Sequence, residues 1–178
     1  MDSAAERWVR RLQDEGQKTA LFFEGLTPAE WHASIYQTES AWKTRDILGH
    51  FVSTEGAFHL LFDDIRRGGG GAPADFDINE FNETEVASLR EMEPSSLLQA
   101  FRTARARTIV VVSGLSPEER ARRGRHPWFG EVPIEEMIQL IYRHTMIHLR
   151  DVRKALETGR PVPHRESVPP RTDGGESA

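Results

Sequence analysis

Pro133-Ile134-Glu135-Glu136-Met137-Ile138-Gln139-Leu140-Ile141-Tyr142-Arg143-His144-Thr145-Met146-Ile147-His148 opens with a residue suited to the first turn of a helix, and its apolar positions recur at helical spacing. Continued to about Glu157, the stretch places Ile134, Ile138, Ile141, Thr145, Val152 and Leu156 on one inner face. His148 falls inside that stripe and His144 on its edge, while Arg143, Arg150 and Lys154 point the other way and read as a solvated side. Gly159 ends the helix. A long helix with one apolar stripe needs partners to cover it.

The chain supplies three more such helices. The first runs from about Ser3 to Leu26, with Trp8, Leu12, Thr19, Phe22, Phe23 and Leu26 near one face. Thr27-Pro28-Ala29-Glu30-Trp31 reads as a cap, a proline and one short turn. Residues 32–43 are irregular. The second long helix starts at Thr44, its expected N-cap, and runs to about Arg67, before Gly68-Gly69-Gly70-Gly71. Ile47, Phe51, Thr54, Phe58, Leu61, Phe62 and Ile65 share one side, with His50 and Glu55 on its two margins. His59 points away from this stripe and reads as exposed. A short helix starts near Asp77 and runs towards Met92, and the third long helix spans about Pro94 to Ser113. Ser116-Pro117-Glu118-Glu119 repeats the cap-and-proline signal. No strand signal is present. The expectation is an all-α antiparallel four-helix bundle over residues 3–158, with short helices in the connecting loops. Residues 159–178, rich in Pro, Gly and charge, are expected to form a flexible tail.

Composition narrows the function. The 178 residues suffice for one domain. Lys and Arg number 23 against 28 Asp and Glu, a net charge of −5, which offers no basic surface for nucleic acid. There is no cysteine, so disulfides, thiolate metal sites and a cysteine nucleophile are excluded, and any thiol chemistry needs a thiol from outside. No apolar run reaches the roughly 20 residues of a membrane span, and the first residues lack the apolar core of a signal peptide. The expectation is a cytoplasmic protein acting on a small molecule, with neither nucleic acid nor membrane as partner.

His144 and His148 lie four residues apart on one helix face, about one turn from each other, close enough to bind one ion. That spacing alone is common. His50 adds a third histidine on the margin of a facing apolar stripe, whereas His32, His59, His126 and His164 read as surface or loop positions. Three imidazoles leave coordination positions open to water or substrate, the arrangement of catalytic metal sites. Thr145 stands where a zincin protease needs glutamate, which argues against a metalloprotease. Glu55 is the candidate catalytic residue, as a base or as a partner to a ligand histidine. Pairing with an arginine at the edge of the stripe is its structural alternative. Asp46 is explained by the helix dipole. Asp151 either orients His148 or pairs with Lys154 or Arg150. Arg45 and Arg105 are candidates to meet an anion, or are surface residues. Trp128 and Phe129 either line a pocket mouth or cap the bundle.

Trp42-Lys43-Thr44-Arg45-Asp46-Ile47-Leu48-Gly49-His50 opening one helix, with His144-Thr145-Met146-Ile147-His148 in another, 94 residues from histidine to histidine, resembles the DinB-like superfamily. More narrowly, the pattern is similar to the YfiT-like metal-dependent hydrolases and to the N-terminal domain of mycothiol-dependent maleylpyruvate isomerases. The resemblance covers about residues 3–157 and implies a four-helix bundle holding a divalent metal on His50, His144 and His148. Zn and Ni are the first candidates, with Fe and Mn as others. It also implies a homodimer and reactions that use a low-molecular-weight thiol such as mycothiol, bacillithiol or glutathione. The chain ends without the additional C-terminal domain of the maleylpyruvate isomerases, which argues against that particular activity. Two readings follow: a metal-dependent enzyme activating a thiol or water for transfer, isomerisation or hydrolysis, or a non-catalytic binding or stress-associated bundle whose metal is structural or absent.

Overall fold

A computed structural model describes residues 3–37 and 41–164. Four long helices dominate it: α1 (Ser3–Glu24), α3 (Thr44–Arg66), α5 (Pro94–Gly114) and α7 (Ile134–Thr158). Short helices α2 (Pro28–Trp31), α4 (Ile78–Leu89) and α6 (Pro117–Ala121) occupy the connections. Thr27 and Ser116 close the capping boxes that begin α2 and α6. The N-cap of α3 is Lys43 rather than Thr44, whose buried side chain lies inside the helix. No helix of the described residues is long and apolar enough to cross a membrane.

One departure from the sequence reading is a hairpin. Strands β1 (Arg123–His126) and β2 (Gly130–Pro133) pair antiparallel immediately before α7. Each strand is only four residues long, too short for alternation to register as a period. The hairpin is fastened to the loop after α3, where Gly71 bridges Arg125. A Cβ on Gly71 would lie 2.6 Å from the backbone of Arg125, and its φ of +85° also suits glycine.

Around the bundle the helices follow the order α1–α5–α3–α7, and α7 packs back on α1. Helices consecutive among the long four, α1 with α3 and α5 with α7, therefore lie across the diagonal. The connections 25–43 and 115–133 are long because each must cross an end of the bundle. In this order α3 and α7 are neighbours.

The interior divides into two apolar clusters. One gathers Phe23, Trp31, Ile35, Tyr36, Phe51, Phe101 and Val152. The other gathers Leu12, Phe62, Ile65, Val112, Ile134, Ile138 and Ile141. All four long helices pass from one cluster to the other, and each carries buried polar residues at the crossing: Glu15 and Thr19, Glu55, Arg105 and Thr108, and Thr145.

The start of the expected tail is built into the fold. Val162 is buried and exchanges backbone hydrogen bonds with the segment before α3, donating to Ile35 and accepting from Gln37. An apolar residue that extends a short bridge outweighs the polar composition around it. The remainder of the expected tail, 165–178, lies outside the described residues.

Candidate metal centre

The two neighbouring helices bring the three histidines together. His50 sits in the second turn of α3, and His144 and His148 one turn apart on α7. His50 Nε2 lies 2.9 Å from His144 Nε2, and His148 Nε2 lies 2.9 Å from the same atom. His50 and His148 are buried, and His144 is half-buried. Burial, reinforced by the positive charge of neighbouring groups, pushes His144 down to about 4 and His50 and His148 well below the ordinary histidine value. All three rings are therefore neutral at pH 7, as ligation requires.

Proton accounting tests whether these residues fit a cation. A neutral ring nitrogen offers one in-plane position, either an N–H or a lone pair. His144 Nε2 meets two partner nitrogens at hydrogen-bond distance, so it satisfies at most one of them. The far side of His50 gives no relief, since its buried Nδ1 has no hydrogen-bond partner. A cation shared by three lone pairs resolves both Nε2–Nε2 contacts at once and leaves the His50 proton on Nδ1. Two of the three Nε2 pairs stand 2.9 Å apart and all three ligand atoms lie within 4.8 Å of one another, close enough to share one ion. The donor set fits a divalent metal.

Groups behind the ligands support the same orientation. Tyr36 Oη lies 2.5 Å from His148 Nδ1 and 3.4 Å from Asp151 Oδ2. With Nε2 of His148 as a lone pair, Nδ1 carries the proton and donates to Tyr36, which in turn donates to Asp151. Burial and the Asp151 charge raise the Tyr36 pKa, so the phenol keeps that proton. Beside His50, the Trp42 ring lies 5.0 Å away between centroids, held by its Nε1–H on Glu83.

Comparison with curated protein sequences finds no match. The sequence profile of the DinB superfamily matches residues 11–152. The chain belongs to the DinB superfamily. Among solved structures, this DinB-superfamily chain is similar to YfiT from Bacillus subtilis, described as a probable metal-dependent hydrolase with an unusual four-helix bundle topology. The TM-score is 0.73 at 15% identity, over 90% of this chain and 91% of that one. A mycothiol-dependent maleylpyruvate isomerase superposes with a TM-score of 0.71 at 17% identity, over 85% of this chain but 63% of its own length. The colibactin self-resistance protein ClbS, in complex with double-stranded DNA, gives 0.63 at 12% identity over 84% and 95%. At these identities the likeness is one of fold.

In this DinB-superfamily bundle the histidine cluster opens onto a cavity of about 490 Å³. Trp128 and Phe129 both line it, as does Asp151. Arg143, expected on the solvated side, is exposed but stands on the cavity wall, since the hairpin packs on α7 and the first turns of α4 line the same cavity. His126 and His164, expected at surface or loop positions, both line the cavity. His126 is buried in β1, where its Nδ1 accepts from the backbone N–H groups of Trp128 and Phe129. His164 is exposed but packs on Tyr36, with ring centroids 4.5 Å apart, and stacks on His148 at 6.2 Å.

Other predicted positions land elsewhere. Glu55 is not on the cavity wall: it is buried and bonded to Arg105 and Thr108. Arg105, expected at the surface or at an anion, is likewise buried. His59 is buried rather than exposed, and its Nε2 lies 2.7 Å from Thr108 Oγ1. α3 packs against α4, α5, α7 and β1, so it has little free face, which a one-stripe reading does not anticipate. Asp46 caps α3 and pairs with Arg90, and Arg45 donates to the Met92 carbonyl. The residue missed entirely is Tyr36. It lies in an irregular segment with no periodicity, so nothing local marks it.

Proposed function

We propose that this protein is a metal-dependent enzyme that activates a low-molecular-weight thiol or water against a small electrophilic molecule, in transfer, isomerisation or hydrolysis. The observation that carries the reading is the meeting of three neutral imidazole Nε2 atoms at a cavity, in contacts that protons alone do not satisfy. His50, His144 and His148 would hold a divalent ion, with Zn or Ni first. Such an ion supplies Lewis acidity, lowering the pKa of a thiol or water that reaches it.

The chain's own groups do the rest. Tyr36 fixes the ring of His148 and links it to Asp151. Asp151 and Glu136 are the carboxylates on the cavity wall, and Asp151, joined to His148 through Tyr36, would be the nearer group to take a proton. Glu55 acts as a positioning residue: through Arg105 it reaches Thr145, the residue after His144. The apolar walls around Phe58, Met137 and Leu140 limit water near the reacting atoms. With no cysteine in the chain, the thiol comes from solution.

Elemental analysis of protein purified without a histidine tag tests this reading. Metal near one ion per chain, lost in His144→Ala while the helical circular-dichroism signal persists, supports it. Wild-type metal content in that variant would overturn it.

A further inference from the structure

The cavity is asymmetric, and its asymmetry selects a ligand class. On one wall the hairpin presents Phe129 and Trp128 around His126, whose ring lies 5.5 Å from Phe129 and stacks on Phe58 at 5.7 Å and 26°. This surface suits a flat unsaturated body. The Nε1–H of Trp128 is buried and has no hydrogen-bond partner. On α7, Arg143 stands on the wall next in sequence to His144. Among the described residues it donates to Gln139, itself on the wall, and to no carboxylate. Glu136, two turns earlier on the same helix and also on the wall, makes that end unfavourable to an anion, whereas Asp151, the other carboxylate on the wall, is paired with Arg150. The volume of about 490 Å³ lies within the range of small-molecule sites, roughly 300–1,000 Å³.

We propose that the cavity takes a small aromatic carboxylate, its ring against the Phe129–His126–Trp128 wall and its anionic group on Arg143, beside the histidine centre. The proposal rests on the reading of this cavity as the substrate site and names the substrate class it serves.

The test compares binding of 2-naphthoate with that of neutral 2-naphthamide, followed by quenching of tryptophan fluorescence, because Trp42 and Trp128 both line the cavity. Each titration is run on zinc-loaded and on chelator-treated protein. The expected result is a preference for 2-naphthoate of about tenfold or more, the usual size of one charged hydrogen bond. Arg143→Gln should abolish the preference, weakening 2-naphthoate binding much more than that of 2-naphthamide. Phe129→Ala should weaken both probes. Equal binding of the two probes to wild type, binding of neither, or a preference that survives Arg143→Gln would overturn the proposal. A preference present only with zinc and surviving Arg143→Gln would mean that the ion binds the carboxylate: this proposal then fails while the metal reading stands. A preference lost in Arg143→Gln, in protein that retains no zinc, supports this proposal while the metal reading fails.

Discussion

Arg105 and Glu55 form an ion pair in the centre of the bundle, Nε to Oε1 at 2.5 Å, with both side chains almost wholly out of water. The pair sits in the polar layer between the two apolar clusters. Arg105 also donates to the Leu12 carbonyl of α1 and to Thr145 Oγ1 of α7, so one guanidinium ties all four long helices at one level. Thr108 completes the layer by donating to Glu55. Desolvating two charges is unfavourable, and a buried pair is weak evidence of stability. It links α3 to α7 through Arg105 one residue from His144, and in the proposed site this link would set the approach of His50 to His144.

Removing one member of this pair leaves the other buried and uncompensated. Glu55→Leu is expected to lower stability by about 3–5 kcal/mol in urea unfolding. The double change Glu55→Leu with Arg105→Met should be less destabilising than Glu55→Leu alone. A double variant at least as unstable as the sum of the single ones would contradict a dominant desolvation term.

Arg105 also has a steric requirement on α1. A Cβ added at Gly16 would lie 2.8 Å from Arg105 Cγ. Gly16→Val should therefore cost about 1–3 kcal/mol through overpacking, although valine suits a buried helix face better than glycine on hydrophobicity alone. A thermal midpoint at or above wild type would show that the arginine yields at no cost.

Tyr36 should matter to metal affinity more than to folding. Tyr36→Phe removes the acceptor for His148 Nδ1–H and keeps the ring. Loss of such a group behind a ligand typically weakens metal binding by roughly 10–100-fold. Competition with a chromophoric chelator measures the effect, and unchanged zinc affinity would rule out the orienting role.

Acid should destabilise the metal-free protein in a defined window. Burial pushes His59 and His126 down to about 4 each, from an ordinary 6.5. Between those values the unfolded chain binds protons on these rings and the folded chain does not. Their contribution is intact above about pH 6.5 and is lost as pH falls towards about 4. Urea midpoints of chelator-treated protein at several pH values should decline across that range. His59→Gln, which keeps a hydrogen-bonding group for Thr108, should flatten the decline; an unchanged slope would remove His59 as a contributor.

The long helices were legible because each has an apolar stripe at the helical period, and the meeting of His50, His144 and His148 because they sit in or at the edge of those stripes. What escaped depends on relations between elements. His59 looked exposed because a one-stripe reading assumes a free face that the neighbours of α3 do not leave. The hairpin at residues 123–133 is too short to show alternation, and it makes His126 an interior residue. Tyr36 and Val162 lie in segments without periodicity, paired with each other's neighbourhood across more than a hundred residues. Glu55 was placed on the correct margin of its helix, but which arginine would face it depended on the order of helices around the ring.

That order bears on how the molecule reaches its final state. Because α1 sits across from α3, and α5 across from α7, neither pair joined by a chain crossover forms a local hairpin that holds by itself. His50 and His144, 94 residues apart, meet only when α7 has closed against α3. Such non-local closure is intrinsically slow. A cation captured by the three histidines would bind the closed ring and not its precursors, stabilising it by an amount that grows with the logarithm of the free ion once the site saturates. The site would then also be a latch: stripping the ion should speed the opening of α7 and leave the earlier steps of assembly untouched.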